Sequence, residues 1–433
     1  MFSQHHRCVL LWAAFALAGQ TVLVAQAPPT APALGLARAR QLAREASPEQ
    51  RAARDALEAS EGRMRQAGAF PNPTLALSHE RTRRDGEGNS QVIAQFEQPL
   101  AFGGARAARR DAAASLRQKA QADLDRIGTD LDLAVTRAWA GALAGDRRLA
   151  LADRMLVAFD RAVAMNAERL AAGDVSGLAH RRLTLEAARW TAARAGAALE
   201  AREARLALAA LIAGDPDSIR ALAGTPLDTL GPPSRPGPVE VLLTRAHDRR
   251  PDLRAARAQA EAAAATARAV GRDRVPLPTL ALGYKSEESA GLDGQLAGFT
   301  LGLNLPLPIW DRSAGAVRAA RADARGDAAL AQALERRVVR QVLAAWDAWH
   351  ATEAQRAALA ARLGPDADAA LVALDAAFTE GEISLIEWLD AQRAFHEAAA
   401  MRVALEAESA IRTAELEHAA GGPLTPSDRE DLR

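Results

Sequence analysis

Apolar residues return at spacings of three and four along two very long stretches. In the first they are Leu124, Ile127, Leu131, Ala134 and Ala138; in the second, Val339, Val342, Trp346 and Trp349. That period predicts helices packed through a seam of small knobs, with Ala letting the axes approach closely. From about Gly104 to Leu170 no Pro interrupts the pattern, and Gly128, Gly141 and Gly145 stand isolated. A helix of that length is roughly 100 Å long, about three times a bilayer core. The second stretch begins near Ser313 and contains Gly364-Pro365, where a kink or break is expected. A different rhythm precedes each long helix. In "FTLGLNLP" (299–306), Phe299, Leu301, Leu303 and Leu305 alternate with Thr300, Gly302 and Asn304. "TLALGY" (279–284) alternates Leu280, Leu282 and Tyr284 with small residues, and Leu75, Leu77 and Val92, Ala94, Phe96 do the same earlier. Period two with one apolar face predicts short strands. Their other face is small or polar, as in a barrel with a wet interior. Four strands cannot close a barrel, so closure requires several chains.

The two stretches are copies of each other. "PTLAL" occurs at 73–77 and 278–282, and Pro99-Leu100 returns as Pro306-Leu307. "RAARRDA" (106–112) parallels "RAARADA" (318–324), and Gly173 parallels Gly381. Landmarks in one order at a nearly constant offset make a tandem duplication. Each copy reads as a helix (about 35–68 and 250–272), two strands, a very long helix, a break and a second helix. The expected layout is a first repeat over 35–213, an irregular Pro/Gly-rich connector over 214–240, a second repeat over 241–420, and a flexible tail over 421–433. The breaks are "GDVS" (173–176) and "GEIS" (381–384), where Gly ends one helix and the next begins after an acid and a Ser. They read as turn-backs.

Composition agrees with long Ala-packed helices: 49% hydrophobic residues but only 4% aromatic. The 54 basic and 54 acidic residues balance, so no net field recruits nucleic acid. Residues 1–27 carry Arg7, an apolar run from Cys8 to Ala18, and Ala25-Gln26-Ala27 as an A-x-A site, with Ala16-Leu17-Ala18 as a rival. This is the layout of a secretory signal peptide. Its removal takes away the single cysteine, Cys8, leaving an exported chain without disulfides or thiolate metal sites. No later segment is long and apolar enough to be a transmembrane helix. No phosphate-binding loop, H-E-x-x-H or acid–His–nucleophile pattern is present, so no enzyme, cofactor or metal site is expected.

Signal peptide, duplicated order and motifs together resemble the TolC family of outer-membrane efflux proteins. The residues that carry the likeness are "AFPNPTLAL" (69–77), "FEQPLAFGGARAAR" (96–109), "RRPDLRAARAQ" (249–259) and "LNLPLPIWDRSAGAVRAARADA" (303–324). The last is most similar to the CzcC-type heavy-metal (RND) branch. The resemblance implies a mainly α fold with a small β part: a homotrimer with a 12-stranded outer-membrane β-barrel, four strands per chain, continued by a long α-helical periplasmic barrel. It further implies a passive exit duct in outer-membrane lipid, docked through a periplasmic adaptor (membrane fusion) protein onto an inner-membrane RND transporter. Heavy-metal cations are the implied cargo. Organic solutes or drugs, or a type I secretion role with protein cargo, are the alternatives.

Site residues follow from the same resemblance. Gly173, Asp174, Val175 and Gly381, Glu382, Ile383 match the adaptor-docking helix tips. Glu387 and Asp390 match the paired acids of the channel entrance gate and share a helical face. The matching place in the first repeat holds Ala179, His180 and Arg181, so the gate belongs to the second repeat only. Pro99, Gly103, Gly104, Pro306 and Pro308, together with Gly315, would mark the barrel-to-helix transitions. Phe96, Tyr284 and Phe299 would form the aromatic girdle at a membrane interface.

Overall fold

A computed structural model describes residues 34–84, 87–100, 104–214, 236–274, 276–289, 295–364 and 367–424. The expected signal segment, most of the connector, Gly103, Pro365 and the tail beyond Leu424 lie outside these residues.

Two short helices open the first half: α1 (Leu36–Ala46) and α2 (Pro48–Ala67). The apolar face of α1, Leu36, Ala39 and Ala43, is buried against Val135 and Trp139 of the long helix. A single helix was expected over 35–68, and the structure corrects this. Ser47 is extended, its hydroxyl accepts the Gln50 N–H at 3.1 Å, and Pro48 sits at the first helical position. Pro lacks the N–H that a continuing helix requires but is well suited to start a new one.

Strands β1 (Thr74–Arg84) and β2 (Glu87–Pro99) follow, then α3 (Ala105–Ala172) and α4 (Gly177–Ile212). At 68 residues α3 spans about 100 Å. It packs along α4 as an antiparallel hairpin, with Trp139, Leu208 and Ile212 in a shared core.

The second half repeats the order: α5 (Val239–Arg249), α6 (Pro251–Arg272), β3 (Thr279–Ser289), β4 (Gln295–Asn304), α7 (Ala314–Leu363), α8 (Ala367–Glu380) and α9 (Leu385–Ala419). The helix expected over 250–272 is present as α6, and a further helix, α5, precedes it, divided from it at Arg250-Pro251. Helix α5 already runs at Val239, inside the segment expected to be irregular. It buries Leu242 and Ala246 against Val342, Trp349 and Leu416. The expected break at Gly364 is present: α7 ends at Leu363, and Gly364 takes φ 66°. The counterpart of the continuous α3 is therefore a 50-residue helix followed by a 14-residue one.

The strands form one antiparallel sheet in the order β1-β2-β3-β4. They run 10 to 13 residues, longer than the short strands the alternation had marked. Backbone pairing continues into "SHERTRR" (78–84), where neither face is apolar.

Candidate functional site

The sheet register sorts its side chains into two faces. Leu75 pairs with Phe96, Phe96 with Leu282, and Leu282 with Leu301. Two residues along, the row reads Leu77, Ala94, Tyr284, Phe299. These side chains share one face and, Ala94 apart, are exposed, Phe299 by 86% and Leu301 by 77%. The alternate row reads Ala76, Gln95, Gly283, Thr300, and further along the same face come Lys285, Glu287 and Asn89. Lys285 pairs with Glu287 at 2.9 Å, and Asn89 donates to Glu287 at 2.9 Å. This face is crowded at Gly283, where a Cβ would lie 2.5 Å from the Thr300 hydroxyl and 3.0 Å from the Ala94 carbonyl.

A sheet apolar outside and polar inside is stable only if its outer face meets lipid or protein. Of the expected girdle residues, Tyr284 and Phe299 stand side by side, their rings edge-to-face at 5.8 Å. Phe96 lies on the same face, one row nearer the helices. Strands β1 and β4 form the two edges, and neither has a further partner among the described residues.

All four strand-to-helix connections leave from one end of the sheet, because Thr74, Pro99, Thr279 and Asn304 are in near register. Pro99 ends β2, and the next N–H, of Leu100, donates to the Pro278 carbonyl at 2.8 Å. Gly104, at φ 79°, precedes α3. Pro306 and Pro308 lie in the nine residues between β4 and α7, where they can break the ladder without leaving a donor unpaired. The slack expected at Gly315 is displaced. Gly315 is already inside α7, and the left-handed residue is Ser313, at φ 52°. Trp310, 92% exposed, and Phe70, 65% exposed, stand at this end too. Both lie in motifs quoted above, but no role had been assigned to either.

The two breaks are the same turn built twice. Gly173 takes φ 85° and Gly381 φ 82°. The Asp174 N–H donates to the Arg169 carbonyl at 2.9 Å, and the Glu382 N–H to the Ala377 carbonyl at 2.9 Å. Each turn thus returns a hydrogen bond to a carbonyl the helix end leaves open. Ser176 and Ser384 cap the following helices through their hydroxyls. Asp174 and Glu382 are exposed and Val175 and Ile383 half-buried, with Ile383 against the core formed by Phe159, Phe378, Trp388 and Leu389. Arg169 donates to the Thr379 carbonyl at 2.7 Å, tying the two turns together.

Beyond the second turn the acids separate. Glu387 belongs to a capping box: its Oε2 accepts the Ser384 N–H and hydroxyl, each at 2.8 Å, while its own N–H donates to the Ser384 hydroxyl at 3.3 Å. The Ser384 N–H, then its hydroxyl, hold this carboxyl below the usual glutamate range, so it stays charged. The Asp390 side chain is 67% exposed and stands 3.8 Å from Arg393. Arg393 in turn donates to Glu186 of α4. Burial disfavours the charged form of Glu186, but the hydrogen bond and charge of Arg393, with those of Arg189, outweigh it and leave its pKa lowered. Behind them Asp375 accepts from Trp388 at 2.9 Å and from Gln392 at 2.6 Å. The Arg393–Glu186 pair was not foreseen. Its separation of 207 residues is close to the repeat offset, and that was the available signal: two charges on corresponding turns of the two copies.

Among the described residues, no group of three His, Cys, Asp or Glu could hold a metal ion, and no helix is long and apolar enough to cross a membrane. Residues 242–422, nearly all of the second half, match the family model described as outer membrane efflux protein. The cobalt-zinc-cadmium resistance protein CzcC of Cupriavidus metallidurans is 30% identical over 349 residues, 80% of this chain and 80% of that one. Solved structures share the fold. CusC, described for its transmembrane channel formation, aligns with TM-score 0.72 at 17% identity, over 89% of this chain and 92% of its own. The outer membrane protein VceC of Vibrio cholerae aligns with TM-score 0.69 at 21% identity, over 90% and 97%.

Proposed function

This chain belongs to the outer membrane efflux protein family, and on that premise we propose that it is the exit duct of a tripartite pump for heavy-metal cations. It is an outer-membrane protein and a passive conduit, not an enzyme. The observation that carries the proposal is the four-stranded sheet with two unpartnered edges, an exposed apolar face and a polar reverse. Such a sheet is stable when copies of the chain complete one another's edges into a closed wall. Three copies supply twelve strands, with the polar face as the lumen, and the long helices, α3 at about 100 Å among them, continue that wall away from the membrane.

The far mouth is where α3 turns into α4 and α8 into α9. Gly173, Asp174, Val175 and Gly381, Glu382, Ile383 there form the surface offered to a periplasmic adaptor that joins the duct to an inner-membrane RND transporter. Glu387 and Asp390 line the entrance as carboxylate rings, which attract cations, while Arg393, beside Asp390, bridges to Glu186 and holds α9 to α4. Metal as cargo is supported by the likeness to a cobalt-zinc-cadmium resistance protein.

Deleting the gene and restoring it in its own host tests the reading. Sensitivity to zinc, cobalt or cadmium that the intact gene reverses is the expected result. Sensitivity to organic solutes alone, or loss of a secreted protein, would move the cargo to the alternatives. Purified protein that gives no conductance in planar bilayers would overturn the duct itself.

A further inference from the structure

We propose that the strand-to-helix junction is a lipid-binding collar, taking anionic phospholipid of the periplasm-facing leaflet between an apolar wedge and a ring of arginines. The inference rests on the outer-membrane reading above and adds a depth anchor and a headgroup site to it.

Two groups of side chains meet at this end of the sheet. The first continues the lipid-facing surface past the last strand residue. Leu305, Leu307, Ile309 and Trp310 are all exposed, in a segment where Pro306 and Pro308 exclude ladder pairing. Phe70 is exposed on the connection into β1, at the opposite edge of the sheet. Trp310 is the only exposed tryptophan among the described residues; Trp139, Trp349 and Trp388 are buried and Trp190 and Trp346 half-buried. A tryptophan with an apolar body and one N–H prefers the boundary between acyl chains and headgroups.

The second group is basic. Arg106 lies with its guanidinium carbon 3.9 Å from the centre of the Phe70 ring and also donates to the Gly68 carbonyl at 3.1 Å. Arg109, Arg110, Arg274 and Arg312 are exposed at the same level, and Arg274 donates to the Arg312 carbonyl at 3.0 Å. Of the acids here, Asp111 is exposed beside Arg110 and the other two are engaged. Asp273 pairs with Arg109 at 3.6 Å, and Asp311 accepts the Ser313 N–H at 2.7 Å. In the whole chain charges balance, so a basic excess here is local. An apolar rim with arginines directly behind it matches an acyl chain ending in a phosphate, and guanidinium groups bind phosphate in a fork. A zwitterionic lipid would fill the rim but would attract the arginines far less.

The experiment uses the full assembly in vesicles of equal parts phosphatidylcholine and phosphatidylglycerol, with bromine high or low on the acyl chains. The wild-type minus Trp310→Phe emission isolates this one side chain. It is expected to be quenched several-fold more by bromine near the headgroup than by bromine near the chain end. Quenching by neither overturns the wedge and places Trp310 against protein or water. Arg274→Gln with Arg312→Gln is expected to lower several-fold the phosphatidylglycerol retained through detergent extraction and to leave phosphatidylcholine unchanged. Equal retention of both lipids overturns the headgroup site. Conductance measured on the same preparations separates the two readings: a conducting protein with an unquenched Trp310 refutes the collar alone, and a non-conducting one refutes the duct.

Discussion

Glu387 and Asp390 differ in what holds them although they share a helical face. Glu387 is fixed to the start of its helix by three hydrogen bonds with Ser384, whereas Asp390 reaches only Arg393. Replacing both with Ala removes the proposed carboxylate rings and should raise basal conductance and lower cation selectivity. Unchanged values would remove the gate assignment. The cap and the Arg393–Glu186 pair also make this end sensitive to acid. Glu186 and Glu387 both have folded pKa values below the ordinary 4.5. A depressed carboxylate stabilises the fold above its unfolded pKa, and that contribution is lost as pH falls through the folded value. Amide exchange across 380–393 should therefore accelerate as pH drops below about 4.5, after correction for intrinsic rates. Glu186→Gln should flatten the response, and an identical pH profile in that variant would refute the linkage. Little of this was legible beforehand. The spacing of two acids was visible in the sequence, but a partner 207 residues away comes into view only once the copies are folded together.

At the scale of elements, the turns and the strands set different limits. Gly173 and Gly381 sit at positive φ with open space around them, so backbone strain is what a side chain would add. Gly173→Ala and Gly381→Ala should each cost about 1 kcal/mol in chemical denaturation. A neutral result would show that the turns relax. The surface they present can be mapped directly. Cysteines at Asp174 or Glu382 should cross-link to the hairpin of an adaptor in cells, and failure at both sites would count against docking there. These turns were legible because Gly, an acid and Ser interrupt an otherwise unbroken helical period. The strand lengths were not, for a physical reason. Alternation marks only the part of a strand with one apolar and one wet face, and residues 78–84 pair through the backbone with polar groups on both sides. The helix division at Pro48 was readable, since Pro favours a first helical position, but the continuous apolar face masked it.

For the whole molecule, closure between copies is the decisive question. The edges β1 and β4 have no partner among the described residues, and the only cysteine of the sequence is Cys8, so introduced thiols can be read cleanly. With cysteines at Ser78 on β1 and Gly298 on β4, a bifunctional maleimide should give covalent ladders that stop at three chains. A ladder ending at two, or cross-links confined to single chains, would sink the three-fold wall. The duplication, the long helices and the need for outside partners were all legible in the periodicity. The number of copies was not, because nothing inside one chain counts its neighbours; that came from resemblance.

The unequal halves have a mechanical consequence. Helix α3 is one rod of 68 residues, whereas its counterpart is broken at Gly364, leaving the 14 residues of α8 as a separate short helix. In a three-fold assembly, unbroken posts would alternate with divided ones around the rim. Force applied at the tips would then run along an unbroken rod in one half and across a break in the other, so the two halves would carry the same load unequally.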